Sequence, residues 1–397
     1  RSLLDAELAL NRGLAVAEEH DLVAWQLRLL NQVGTIEMLR AADGRRLVRA
    51  FDAAMAAGAL DVAAGTAVNI AALHAMRGEL DEAMAAAERA RQAADRLGLR
   101  PLVAAALVMA ALSDGFRGRR KEMEVRLAEA ETISPDDADL HAFAWGAGRG
   151  LCALVREERA DAIRAMQRAV QMAAPIDSLD TARGPLLVAR AADGHATIDD
   201  LTAARATATP GAGWSDLWVG LGEAMWAGAS GDASRAEQLF AAADLAGRRH
   251  PLFRAIGLRL AAEAGLRDGW GEPVRWLTEA DAVFVAGGQD RIAAACRALL
   301  KQAGAPTTRR RGADRGLPPD LLRRGVTARE AEVLTLVSEH LGNKEIAARL
   351  YLSPRTVEKH VASLLAKFAV SDRAGLIEAT RWPSRPGWGR STHAPTA

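Results

Sequence analysis

The 397-residue sequence predicts an all-α protein in two parts, a long array of helical hairpins followed by a small helical domain. Three observations lead there. Apolar residues recur at helical spacing along most of the chain, and aromatics make up only 4% of it, too few for a strand-rich architecture. Turns return every 35 to 40 residues or so as far as Gly271, the period of stacked helix pairs. The stretch from about Gly304 to Gly325, with Pro306, Arg309-Arg310-Arg311 and Pro318-Pro319, then resists both helix and core.

In chain order, residues 1–303 form the array. The segment from Asn69 to Ala90 reads as a helix, a glycine turn and a second helix, and it resembles a tetratricopeptide-type hairpin. Related turns fall near Asp43-Gly44, Arg117-Gly118, Glu157-Glu158, Asp193-Gly194, Gly231-Asp232 and Gly269 to Gly271. A second apolar helix is expected over 47–55, 83–97, 123–133, 162–172, 236–245 and 274–285. Each hairpin alone would leave an apolar face that only its neighbour can bury, so the array is expected to curl into a solenoid with a concave surface. Trp145, Trp214, Trp218, Trp226, Trp270 and Trp276 gather in its middle and later repeats. Packing between helices is the default reading for them, and a groove for an effector or a partner helix is the alternative.

Residues 304–325 read as an exposed linker, whose Arg309, Arg310 and Arg311 serve as a solvated tether or touch phosphate. Residues 326–382 form the second domain, and residues 383–397 a tail rich in Pro, Gly, Ser and Thr that is expected to be disordered. In the second domain, Thr327 with Glu330 three residues later has the spacing of a capping box and starts a helix from Ala328 to about His340. Val333, Leu334, Val337 and Leu341 share one face of it. A short helix fits Asn343 to Leu350, with Ile346, Ala347 and Leu350 apolar.

Ser353-Pro354 opens the third helix, Ser353 as cap and Pro354 at the first helical position, where its missing N–H costs nothing. Placing residues at 3.6 per turn puts Val357, Val361, Leu364, Leu365 and Phe368 on one side and Arg355, Glu358, Lys359, Ala362 and Ala366 on the other. A short helix, a tight turn and a longer helix with such an outer face is the pattern of a helix-turn-helix, whose second helix enters the major groove of DNA. Small Ala362 and Ala366 let that helix approach base edges.

These residues resemble the LuxR/GerE-type DNA-binding domain over nearly all of 326–382. The resemblance rests on Thr327, Arg329-Glu330, Glu332-Val333-Leu334, Asn343 to Ala347, Leu350, Ser353 to Val357, Lys359-His360-Val361, Leu365, Lys367 and Arg373, with His340, Gly342 and Phe368 departing from the usual residues. It implies a four-helix domain that binds double-stranded DNA as a dimer, with a fourth helix capped by Ser371 and with Leu376, Ile377 and Trp382 at the dimer contact. Asn343, Lys344, Arg355 and Thr356 are then expected on phosphate, and Glu358, Lys359 and Ala362 on base edges. Thr356 has the competing role of reinforcing the helix start, and Glu358 that of pairing with a neighbouring cation. His360, on the flank, is expected to hydrogen-bond within the domain.

The repeat array ahead of this domain is similar to the C-terminal part of the large ATP-binding LuxR regulators. No nucleotide-binding loop is present, so ATP binding is not carried over, and no cofactor is expected. Motifs of phosphate loops, zinc peptidases and serine hydrolases are also missing, which argues against an enzyme. Residues 305–382 hold about 14 basic and 9 acidic side chains against about 35 and 41 in residues 1–304, so the basic excess lies with the DNA reader. An excess this modest favours a dimer or multimer on DNA.

Two cysteines, Cys152 and Cys296, give neither a metal site nor a disulfide framework. With no apolar run near the ~20 residues of a membrane span, a cytoplasmic protein is expected. The chain begins at Arg1 and is expected to be a fragment. The resulting expectation is a transcriptional regulator, an activator more than a repressor, whose array receives a small-molecule or protein effector and whose further candidate partner is RNA polymerase. The rival is a repeat scaffold with nonspecific DNA affinity.

Overall fold

The computed structural model describes residues 3–172, 181–305, 321, 324–326, 328–350, 353–368 and 370–380. The linker residues from 306 to 320, the tail and Trp382 lie outside the described residues. Among those described, every regular element is helical, and the chain divides into two compact units, Arg1–Thr307 and Thr308–Ala397. No described helix is long and apolar enough to cross a membrane.

The first unit opens with α1 (Leu3–Glu19), α2 (Val23–Ala41), α3 (Arg45–Ala56), α4 (Leu60–Arg77), α5 (Leu80–Arg96), α6 (Arg100–Phe116) and α7 (Arg120–Ile133). It continues through α8 (Ala138–Phe143), a π-helical stretch (Ala144–Leu151), α9 (Cys152–Val155), α10 (Arg159–Met172), α11 (Arg183–Ala192) and α12 (Ile198–Ala206). It closes with α13 (Gly213–Ala229), α14 (Ala233–Gly247), α15 (Pro251–Asp268), α16 (Pro273–Ala286) and α17 (Asp290–Gln302). The second helices expected from the sequence lie within or across α3, α5, α7, α10, α14 and α16.

Two kinds of helix alternate here, and their sequences differ accordingly. α5 buries Leu80, Ala83, Ala86, Ala87, Ala90 and Ala94, a single stripe at intervals of three and four residues, with Met84 and Ala93 partly buried at its flanks. α6 buries every residue from Ala106 to Phe116, because it has neighbours on both sides and the inner face of the array in front. The inner helix α15 is similarly buried, and both begin with proline in the first turn, where no hydrogen bond is lost. Alanine buries little apolar area, so close approach of backbones supplies much of the packing. At Gly228 an added Cβ would stand 2.3 Å from Nε1 of Trp270.

The array curls until late helices meet early ones. α13 packs against α2 and α15 against α4, and Arg249 donates to the carbonyl of Ala41 at 3.2 Å. Phe116, Trp214 and Phe253 bring α6, α13 and α15 together through edge-on ring contacts, with Phe253 5.9 Å from Phe116 and 5.5 Å from Trp214. Much of the expected concave groove is therefore filled by helix contacts. Trp214, Trp218, Trp270 and Trp276 are buried, while Trp145 and Trp226 are half-buried. Trp145 is flanked by Arg149 and Arg168, 4.4 and 4.9 Å from its ring centre.

Charged side chains take part in the closure. Arg259, buried, donates to Glu263 at 2.7 Å and to Glu157 at 2.9 Å, and Glu263 also accepts from Arg159 at 2.8 Å. Glu157 stands in the turn after α9 with left-handed backbone (φ 57°), so these ion pairs fasten that turn to α15 about a hundred residues later. Burial pushes both cysteine thiols up to about 12, which leaves Cys152 and Cys296 protonated and unreactive.

Candidate nucleic-acid interface

The second unit contains α18 (Ala328–Ser338), α19 (Asn343–Arg349), α20 (Pro354–Phe368) and α21 (Arg373–Thr380). Each start has a local cause. Ser353 Oγ accepts from the backbone N–H of Thr356 at 3.1 Å, which caps α20. At α19 the cap position is Gly342, which has no side chain, and Glu345 reaches back to its N–H at 2.6 Å. α21 begins at Arg373, so the cap is Asp372, which accepts from the N–H of Gly375 at 2.8 Å, and Ser371 stands one residue too early. The turn out of α18 passes through His340 in the left-handed region (φ 65°).

The core of this unit joins Val333, Leu334 and Val337 of α18, Ile346 and Ala347 of α19, and Val357, Val361 and Leu364 of α20. Leu376 of α21 completes it at 0% exposure. Three polar clamps set the helix angles. Glu330 of α18, itself buried, accepts from Ser363 and from Lys367, each at 2.6 Å, and so ties α18 to α20. Its expected capping partner Thr327 lies outside the described residues. Arg373 donates to Asn343 Oδ1 at 2.8 Å and to the carbonyl of Leu341, and Arg329 donates to the carbonyl of Leu350 at 2.6 Å.

The opposite side of α20 carries Arg355, Glu358, Lys359, Ala362 and Ala366, all exposed, and Lys344 is exposed on α19. Among the described residues, none of Lys344, Arg355, Glu358 and Lys359 forms an ion pair with another side chain. Glu358 therefore does not neutralise Arg355 one turn before it. The face presents two cations, one anion and two methyl groups on a rigid helix, a mixture suited to reading polar edges and methyls.

Other expected site residues are placed differently. Asn343 is half-buried with its side-chain oxygen occupied by Arg373. Thr356 is half-buried and its hydroxyl is 2.8 Å from that of Ser353, which favours the helix-start role over a phosphate contact. Leu376 is corrected: fully buried in its own domain, it has no surface left for a second copy. Ile377 is half-buried, and Trp382 lies outside the described residues. No described group of three or more His, Cys, Asp and Glu side chains is arranged to hold a metal ion.

The sequence reading missed the Glu330, Ser363 and Lys367 clamp. Ser363 and Lys367 are one turn apart on the flank beside Leu364, which was the available signal.

Comparison with known proteins bears on the same stretch. Residues 325–380 match the model of bacterial regulatory proteins of the luxR family. Residues 325–380 are a LuxR-family helix-turn-helix domain. The chain is 45% identical over 53 residues to a Mycobacterium bovis protein named as an HTH-type transcriptional regulator, covering 13% of this chain and 6% of that protein. It is 52% identical over 48 residues to the uncharacterized transcriptional regulatory protein YhcZ of Bacillus subtilis, covering 12% and 22%. It is 46% identical over 56 residues to the transcriptional regulatory protein LnrK of the same organism, covering 14% and 24%. The chain thus spans under a quarter of the length of each of these relatives, and the LuxR-family model itself covers only the C-terminal unit.

Proposed function

We propose that the protein is a sequence-specific DNA-binding transcriptional regulator, an activator, in which the helical array receives a signal and controls how two reader domains meet on DNA. The observation that carries this reading is the outer face of α20, where charged groups that form no ion pair among the described residues surround two alanines in a LuxR-family domain. Lys359 bonds guanine O6 or N7, Glu358 accepts from cytosine N4, and Ala362 meets a thymine methyl. Lys344 and Arg355 contact phosphates and set the register. Asn343 and Thr356 support the helices that hold them, since their side chains are engaged within the domain.

A homodimer on a repeated operator fits the small basic excess of the C-terminal portion, because one domain neutralises few phosphates. Of the described dimer candidates only Ile377 keeps partial exposure. RNA polymerase is the partner an activator requires.

Selection of bound sites from random DNA, with competitor DNA present, tests the reading. A preferred site with two spaced half-sites is expected. Binding of all sequences alike would replace the regulator with a repeat scaffold that clings to DNA nonspecifically.

A further inference from the structure

The inner side of the array holds a cavity of about 90 Å³. Its walls come from α2, α4, α6, α8, the π-helical stretch, Thr181 ahead of α11, α13 and α15, so it exists only because the array curls. Met38, Met76 and Met109 line it, one from each of three successive inner helices, and Phe143, Trp214 and Phe253 supply rings. Among the described residues that line it, Thr181 is the one with a side-chain hydroxyl, and Trp214 carries an indole N–H. The space is left by small residues, Ala72, Ala75 and Ala147, where larger side chains would have met.

These walls select a chemistry. Water needs two to four polar partners to remain in such a space, and one hydroxyl does not supply them. A charged molecule would lose its hydration with nothing in return. An apolar molecule regains dispersion contacts with every wall. The three methionines add unbranched, polarizable side chains that adapt to a guest's shape. Ala147 and Leu151 belong to the π-helical stretch, a rare wide turn that is frequent at functional sites. An apolar cavity of roughly 150 Å³ takes up benzene. At about 90 Å³ this cavity is smaller, so a guest of benzene or toluene size enters it as the three methionines of its walls shift aside.

We propose that this cavity binds one compact, uncharged apolar molecule, with at most a single polar group directed at Thr181. Calling that molecule the signal rests on the reading of the array as a receiver; the binding itself does not. The test uses the full chain without DNA, with toluene as the probe in calorimetry and in thermal unfolding, and xenon in pressurised crystals. One toluene per chain, a rise in melting temperature and xenon density beside Met76 and Trp214 are expected.

Ala72→Leu and Ala147→Leu, made separately and checked for unchanged helix content by circular dichroism, fill the space from two walls. Each is expected to weaken toluene binding at least tenfold. No saturable toluene binding by the folded chain, or equal binding in both filled variants, overturns the proposal. DNA selection by the same variants is read separately, so loss of the cavity and loss of the DNA reader give different results.

Discussion

The helical array and the C-terminal domain are built from the same kind of element, yet they use charge in opposite ways. In the array, Arg159 and Arg259 turn inward onto Glu157 and Glu263 and help hold distant turns together. In the domain, Glu330 and Lys367 do similar work, but Arg355, Glu358 and Lys359 on the outer face of α20 meet no ionic partner among the described residues. A side chain already satisfied within its fold has little to offer a ligand. The contrast therefore separates charges that build from charges that are available to read.

The contrast is broken most severely by Arg259→Ala, which takes the cation from Glu157 and leaves Glu263 with Arg159 alone. A loss of about 3 kcal/mol or more is expected in denaturant unfolding, because removing one partner of a buried pair strands the other. An effect below about 1 kcal/mol would show that the inward pairs are ornamental.

His250 tests the array through pH. It is fully buried, both ring nitrogens lack a hydrogen-bond partner among the described residues, and burial together with Arg249 lowers its pKa to about 4. The unfolded chain takes up the proton first, near pH 6.5, so this residue's contribution is complete above that value. It falls with acid until about pH 4, by on the order of 3 kcal/mol. His250→Leu is expected to flatten that part of the pH–stability curve, and a slope left unchanged would assign it to other groups.

On the reading side, Lys359→Ala is expected to cost about 1–3 kcal/mol on the selected site while leaving random DNA nearly unaffected. Equal weakening on both would move Lys359 to the phosphates. Lys344→Ala and Arg355→Ala are expected to weaken all sequences and to reduce the salt slope of binding by roughly one each. The smallest effect belongs to Ser353→Ala, which removes the cap of α20 and is expected to lower the domain's stability by about 1 kcal/mol. Its signature is a lower melting temperature with DNA selectivity retained by the folded fraction.

Much of the C-terminal domain was legible because its signals are local. Ser353 and Pro354 mark a helix start in adjacent positions, and the inward and outward faces of α20 follow from 3.6 residues per turn alone. The clamps were less legible. That Asn343 gives its oxygen to Arg373, thirty residues on, depends on how α19 and α21 approach each other. Leu376 was misjudged for the same reason: an apolar residue on a short helix fits either a core or a dimer, and only packing distinguishes them.

By itself, the sequence determined the all-α class, the alternation of helix and turn, the break near residue 304 and the composition of the outer face of α20, since each depends on residues within a few turns of one another. Tertiary structure decided which charges were consumed internally, how far the expected groove was filled, and that a cavity remained between α2, α4, α6, α13 and α15. Those outcomes depend on side chains brought together from more than a hundred residues apart, and periodicity along the chain holds no record of such meetings.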